Sequence, residues 1–269
     1  MNNKSIAVFD SGLGGLTAVR VLRQLLPDEN IIYFGDTGRM PYGGRSRAQI
    51  REISRQNIAF AESFNVKAIL AACGTISSNA PDILAQNETK AVGVLIPGAT
   101  ELAETGKSRL GVIATKTSIE SGSFGREIKK LAPEAEVTEL ACPEFVPMIE
   151  SGHYTADDDM VKDVVARSLK PVKDAGVQAL LLGCTHYGII ADAIRDYLGE
   201  DVILIGAADA SARALKAYIE ENGLLGGEGT EQYYTSGSTE DFIALAPIML
   251  GYELKSQVQY VEPFPLKEK

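Results

Sequence analysis

The sequence contains no tryptophan and only three cysteines and two histidines in 269 residues. It has no Cys-x-x-Cys pair of the kind used in thiol–disulfide exchange and no P-loop for nucleotide phosphates. Its longest apolar runs, such as 179–182, fall far short of the roughly 20 residues that cross a bilayer, and the first residues lack the apolar core of a signal peptide. We therefore expect a cytoplasmic protein with reduced cysteines and no membrane partner.

Basic charge is also scarce, because 26 Lys and Arg stand against 36 Asp and Glu and give a net charge of −10. Nucleic-acid binding requires a basic surface, so we expect no nucleic-acid partner. An anionic small molecule is still compatible with this charge, since backbone N–H groups can bind it locally. The length allows one large or two modest α/β domains, each with a sizeable core.

Short apolar runs alternate with helical patterns along most of the sequence. Continuous apolar runs of this length predict parallel strands that are covered on both faces. Ser46 and Gln49 form a predicted capping box for one helix, and Thr155 with Asp158 is predicted to open another. The predicted strands cover 6–9, 31–34, 68–71, 92–96, 110–114, 137–140, 179–182, 202–205 and 232–235, and the predicted helices include 16–26, 46–64 and 238–250.

This alternation predicts an α/β fold with two similar, doubly wound parallel-sheet domains that are related by pseudo-symmetry. The second domain is expected to begin near Pro97, and the chain is expected to return to the first domain after Ile205. The predicted boundaries are 1–97 plus 207–269 for the first domain and 98–206 for the second. We expect the active site in the cleft between them.

One short pattern occurs twice and ends each time in a cysteine. Residues 66–73 read VKAILAAC and residues 177–184 read VQALLLGC, so Cys73 and Cys184 end equivalent units. Ligands of open α/β sheets bind beyond the carboxyl ends of the strands, where both thiols are predicted to lie. We expect the helix start at each site to lower the thiol pKa, and the two thiols to act from opposite sides of one bound molecule.

The neighbouring polar residues suit a small molecule that carries a carboxylate. Two acid–base groups on opposite faces of one carbon can remove a proton from one side and deliver one to the other, which inverts a stereocentre. We expect no metal, because Cys184 and His186 are closer in sequence than usual zinc ligands. We expect no cofactor either, since a complete dinucleotide turn and a clear phosphate anchor for pyridoxal phosphate are absent.

Several motifs together resemble the signature of the bacterial glutamate racemases. They run in order through nearly the whole chain and include FDSGLGGL at 9–16, GDT at 35–37, PYG at 41–43, ACGT at 72–75 and GCTHY at 183–187. The resemblance implies an isomerase that interconverts L- and D-glutamate without a cofactor and supplies D-glutamate for peptidoglycan synthesis.

The resemblance also implies roles for individual residues. Cys73 and Cys184 would exchange the base and acid roles with the direction of the reaction. Asp10 would assist the first thiol and His186 the second. The residues implied to bind the substrate are Asp10, Ser11, Tyr42, Gly43, Gly74, Thr75, Thr185 and His186.

Three other residues near these motifs have less specific interpretations. Cys142 is expected to be a small buried hydrophobic residue. Glu150 could assist a proton relay or could be a plain carboxylate at a helix end. Asp36 is interpreted as structural, as a partner of the loop that carries Tyr42.

The sequence departs from the family pattern at positions that bear on the substrate. Asparagine is usual where Gly74 stands, a glutamate often stands where Ile96 does, and an Asp-Ser pair is common at 206–207. The loss of one polar contact costs about 1–3 kcal/mol. Two alternatives therefore stay open, a racemase for aspartate or another amino acid and a ligand-binding or regulatory protein without turnover. A homodimer is also left open.

Overall fold

The computed structural model describes residues 3–263, in which strands and helices alternate along the chain. The strands are β1 (Ile6–Asp10), β2 (Ile31–Gly35), β3 (Ala68–Ala71), β4 (Ala91–Gly93), β5 (Arg109–Ala114), β6 (Glu136–Ala141), β7 (Ala179–Leu182), β8 (Ile203–Gly206), β9 (Glu231–Thr235) and β10 (Val258–Tyr260). The helices are α1 (Leu16–Leu25), α2 (Arg47–Glu62), α3 (Gly74–Asn79), α4 (Pro81–Ala85), α5 (Leu95–Glu104), α6 (Lys116–Glu120), α7 (Ser123–Leu131), α8 (Phe145–Glu150), α9 (Asp159–Asp174), α10 (Ala191–Leu198), α11 (Ala207–Glu221) and α12 (Thr239–Leu250).

These strands form two sheets that share a strand order. The first sheet has the order β10-β9-β2-β1-β3-β4 and the second has the order β6-β5-β7-β8. Neighbouring strands are parallel in both. The second sheet repeats the arrangement of β1 to β4, with the first strand inside, the second on one side, and the third and fourth on the other. The prediction of two similar parallel-sheet α/β units is confirmed.

Both faces of each sheet are covered, as parallel strands require. One hydrophobic cluster extends from the first sheet to the second and includes Val8 and Leu180. Separate clusters cover the opposite faces, one around Phe9 in the first unit and one around Val112 and Phe124 in the second. Because the units share an apolar cluster, the strand ends of both sheets are held in a defined relative position.

The strand predicted over 92–96 is wrong in its second half. β4 ends at Gly93, and α5 begins at Leu95. The N–H of Val94 donates to the Ser77 hydroxyl at 3.0 Å, which ends the strand and turns the chain into the helix. Pro97 lies in the first turn of α5, where a missing N–H costs no intrahelical bond.

Two other elements differ from the prediction. The helix predicted to open with Thr155 begins at Asp159 instead, because the Asp158 side chain caps it by accepting hydrogen bonds from the N–H groups of Met160 and Val161. The edge strand β10 was not predicted from the sequence. The capping box of α2 is confirmed, with Ser46 and Gln49 bonded reciprocally.

The predicted domain boundaries fall at two crossings between the sheets. The boundary at 97/98 lies inside α5, and the boundary at 206/207 lies between β8 and α11. The division into 1–97 plus 207–269 and 98–206 stays a prediction. None of the helices in residues 3–263 is long and apolar enough to cross a membrane.

Candidate active site

The two cysteines of the repeated pattern lie just beyond equivalent strands. Cys73 follows the end of β3 and is the N-cap residue of α3. Cys184 follows the end of β7 and precedes a 3₁₀ turn over Thr185–Ile190. Both side chains are buried, with 3% and 8% of their surface exposed. The sequence repeat therefore corresponds to a structural repeat, with one thiol from each unit.

The first thiol has a buried carboxylate as its neighbour. Asp10 ends β1, and its side chain accepts hydrogen bonds from the N–H groups of Ser11 at 2.7 Å and Gly15 at 2.5 Å. Burial raises the pKa of Asp10, although the positive charge of His186 and these hydrogen bonds oppose the shift. The carboxylate is held in place by backbone donors of the turn that follows β1.

Burial, and then the negative charge of Asp10, raise the pKa of the Cys73 thiol well above its usual range. The prediction that the helix start lowers this pKa is wrong. The hydrogen bonds at this site do lower it, but the loss of water outweighs them. In this state Cys73 is a protonated thiol, which is the form that can deliver a proton.

The second thiol has an imidazole as its neighbour. The Sγ atom of Cys184 lies 3.9 Å from Nδ1 of His186, and Nε2 of His186 lies 3.0 Å from Oε1 of Glu150. Burial acts to lower the pKa of His186, but the hydrogen bonds to Cys184 and Glu150 outweigh it and raise the pKa to about 10. The imidazole is therefore a cation at neutral pH and can compensate a negative sulfur.

Contacts between the units bring the two thiol environments together. The Thr185 hydroxyl donates to Oδ2 of Asp10 at 3.4 Å, and the Thr17 hydroxyl donates to the Thr185 carbonyl at 3.2 Å. Gly14 lies against His186 so closely that a Cβ atom at this position would overlap the imidazole ring. The glycine-rich turn after β1 is thus part of the wall behind the second thiol.

A second group of hydroxyl contacts also joins the two units. The hydroxyl oxygens of Thr75 and Thr115 lie 3.2 Å apart, and Thr115 caps α6. The Thr117 hydroxyl donates to the carbonyl of Gly43. Thr75 and Gly43, both predicted to bind substrate, therefore lie at the boundary between the first and second units.

Tyr42 differs from the other predicted binding residues because its hydroxyl is already occupied. It donates to Oδ2 of Asp36, and the side-chain amide of Asn57 donates to it at 3.3 Å. Asp36 also accepts from Arg39 at 2.7 Å and from Ser236 at 2.6 Å. These bonds agree with a structural role for Asp36, and they leave the backbone of residues 42–43 as the part that could meet a ligand.

Glu150 is the functional candidate that the sequence did not resolve. It lies at the end of α8, and its carboxylate pairs with His186 across 36 positions of sequence. Spacing along the chain carries no signal for such a contact. The structure places Glu150 where it can hold the imidazole in position, which favours the proton-relay interpretation over a plain helix end.

Cys142 is a small buried residue, as predicted, and it lies close enough to Cys184 for that sulfur to add to the effect of burial in raising the pKa of the Cys142 thiol. Its side chain is 1% exposed within the apolar cluster that the two units share. Its carbonyl accepts a hydrogen bond from the Tyr187 hydroxyl at 2.7 Å. The residue therefore supports the turn that carries His186.

A model of the Asp/Glu/hydantoin racemase family matches residues 17–215. This chain belongs to that family. A glutamate racemase of Caldanaerobacter subterraneus subsp. tengcongensis is 40% identical over 251 residues, which cover 91% of this chain and 90% of the relative.

Solved racemase structures have the same fold over nearly the whole chain. A glutamate racemase isoform from Bacillus anthracis superposes with a TM-score of 0.91 at 31% identity and covers 97% of this chain and 98% of its own. The glutamate racemase of Francisella tularensis subsp. tularensis, solved in complex with D-glutamate, has a TM-score of 0.89 at 36% identity and covers 98% of each chain. This racemase fold therefore extends to the strands β9 and β10 beyond the family match.

Proposed function

We propose that this racemase interconverts L- and D-glutamate without a cofactor and supplies D-glutamate for peptidoglycan synthesis. The observation that carries the proposal is the pair of thiols at equivalent strand ends, each with its own acid–base partner. Asp10 stands beside Cys73, and His186 stands beside Cys184. Catalysis from two sides of one carbon requires this kind of arrangement.

In the proposed reaction, the thiolate of one cysteine takes the α-proton and leaves its electron pair on the α-carbon. The thiol of the other cysteine then delivers its proton to the opposite face, so the stereocentre inverts. The first cysteine ends as a thiol and the second as a thiolate. Cys73 and Cys184 exchange these roles in the reverse direction, with Asp10 assisting the first and His186 the second.

The substrate would lie among the strand ends of both units. We propose that it contacts Asp10, Ser11, Tyr42, Gly43, Gly74, Thr75, Thr185 and His186. The hydroxyl and backbone N–H groups of this set suit two carboxylates and an ammonium group. For Tyr42, the engaged hydroxyl favours contact through its backbone. Domains at 1–97 plus 207–269 and 98–206 would close on the substrate. We propose that the protein acts in the cytoplasm and that its assembly is a homodimer.

Glutamate is preferred as the substrate because the relatives that resemble the whole chain at 30–40% identity are glutamate racemases. An aspartate racemase of Picrophilus torridus is 16% identical with a TM-score of 0.60, a likeness that concerns the fold alone. Of the departures from the family pattern, Ile96 is 56% exposed, so it is a weak candidate for a substrate contact.

Incubation with L-glutamate in deuterated water tests the proposal. Deuterium should enter the α-position, and D-glutamate should accumulate until the two enantiomers are equal. A panel that includes aspartate ranks the substrates in the same assay. If no amino acid exchanges its α-proton while ligand still raises the melting temperature, the protein is a binding protein and the proposal is wrong.

A further inference from the structure

Two glycines that adjoin the two thiols touch each other between the units. Gly74 directly follows Cys73, and Gly183 directly precedes Cys184. A Cβ atom on Gly74 would lie closer than 3.0 Å to the carbonyl oxygen of Gly183. The obstructing atom belongs to the backbone, so it cannot rotate away as a flexible side chain could.

Residue 74 is a glycine because there is no space for a Cβ atom, and not because the backbone conformation requires glycine. Neither Gly74 nor Gly183 is among the residues with a positive φ, so other residues could adopt both conformations. Gly74 begins α3 in a buried position. A side chain at residue 74 is therefore excluded by the approach of the opposite loop alone.

Neither loop can retreat without disturbing a hydrogen bond, within the second unit for Gly183 and between the units for α3. The N–H of Gly183 donates to the carbonyl of Ile113 at 2.7 Å, which ties it to β5. On the other side, Ser123 of the second unit donates to the carbonyl of Ser78 in α3 at 2.7 Å. A larger residue at 74 would have to push the two units apart.

We propose that Gly74 is a positioning residue that sets the distance between the two thiols. The inference rests on the proposed two-thiol reaction. A side chain at residue 74 would separate the cysteine loops by about 1 Å, the shift that restores an ordinary contact of roughly 3.5 Å. A misplacement of that size can cost about 10²-fold in rate. The asparagine usual in related sequences would therefore harm this enzyme instead of restoring a lost contact.

The test compares Gly74→Ala and Gly74→Asn with Gly188→Ala as the matched control. A Cβ atom on Gly188 has no neighbour within 4 Å. With L-glutamate in deuterated water, one thiol suffices to label the remaining L-glutamate, whereas D-glutamate requires both. The measured quantity is the ratio of D-glutamate formed to L-glutamate labelled. In both Gly74 variants this ratio should be at least about tenfold lower than in the unaltered protein, with a reduced kcat and a KM that changes by no more than about threefold.

Only folded molecules label L-glutamate or form D-glutamate, so partial unfolding lowers both products equally and leaves their ratio unchanged. Gly183→Ala supplies a milder variant, because its Cβ would lie 3.0 Å from the Ile113 carbonyl, and its ratio should fall between those of Gly74→Ala and Gly188→Ala. A wild-type ratio or a higher kcat in Gly74→Asn overturns the inference. Absence of both exchange and inversion in the unaltered protein would instead refute the proposed function.

Discussion

Cys73 and Cys184 have equivalent places in the repeated fold but opposite electrostatic surroundings. The first lies beside the buried carboxylate of Asp10, and the second lies beside a histidine whose pKa is raised to about 10. A neighbouring negative charge favours the protonated thiol, whereas a neighbouring cation stabilises a thiolate. The repeat therefore explains where the sulfurs are, and the residues outside the repeat set the charge beside each sulfur.

The proposed reaction requires one thiol and one thiolate, so that one sulfur accepts a proton while the other donates one. Turnover would then reverse the two states, and the assisting groups must tolerate both. Asp10 and His186 interact electrostatically, so a change of charge on one of them shifts the pKa of the other.

The largest expected effect is the loss of either sulfur. Cys73→Ser and Cys184→Ser should each lower kcat for both enantiomers by at least about 10³-fold, because a hydroxyl is a far weaker acid and base at neutral pH. Chiral chromatography of the products measures this. Cys142→Ala is the control and should keep activity within about threefold, since that cysteine has a packing role. Activity that survives in either serine variant contradicts the two-thiol reaction.

The next effect distinguishes the two assisting groups. Asp10→Asn and His186→Asn should each lower kcat by about 10²-fold. L- and D-glutamate have equal free energies, so kcat/KM must fall equally in both directions. The asymmetry should instead appear in the primary isotope effect with α-deuterated substrate. We expect Asp10→Asn to raise it for one enantiomer and His186→Asn for the other. A rise for the same enantiomer in both variants would show that the assistance is shared.

A smaller effect concerns the charge of the imidazole. Activity that needs protonated His186 should persist at neutral pH and fall as the pH rises through about 10. Glu150→Gln replaces the carboxylate whose hydrogen bond raises this pKa with a neutral amide, so the alkaline fall should move lower by about one pH unit. The chain has two histidines, so NMR titration in a His153→Gln background reports His186 alone. An unshifted alkaline limb would exclude Glu150 from this role.

The smallest effect concerns the contact between the units on the Cys73 side. Thr115→Ala removes both the N-cap of α6 and the contact with Thr75. Ser46→Ala removes a cap of similar geometry on α2. Each should lower the free energy of unfolding by about 1 kcal/mol, measured by urea denaturation. Only Thr115→Ala should also change kcat, by about threefold, and equal kinetics in both variants would remove Thr115 from the site.

The sequence was sufficient for the layout of the fold and for the position of the thiols. Apolar runs predicted the strands because parallel strands are buried on both faces, and the repeated pattern predicted that Cys73 and Cys184 are equivalent. The error at 92–96 arose because an apolar run has no marker for its end when a distant hydroxyl, that of Ser77, turns the chain.

The electrostatics of the site could not be predicted in the same way. A cysteine before a helix suggests a lowered thiol pKa, but the shift depends on burial and on Asp10, which is 63 positions earlier in sequence and joined only by the fold. The contact of Glu150 with His186 could not be predicted either, because only the fold brings these two residues together. Gly74 could be recognised as unusual, but its reason, the carbonyl of Gly183, became visible only in three dimensions.

The pairing of β9 with β2 has a consequence for synthesis of the chain. β5 to β8 and their helices are contiguous, so the second sheet can close as soon as residue 206 has left the ribosome. The first sheet lacks β9 until residue 235 is made. The half of the protein that emerges first is therefore finished last, and a nascent chain from which only residues 1–225 have left the ribosome should hold a complete second unit beside an incomplete first one.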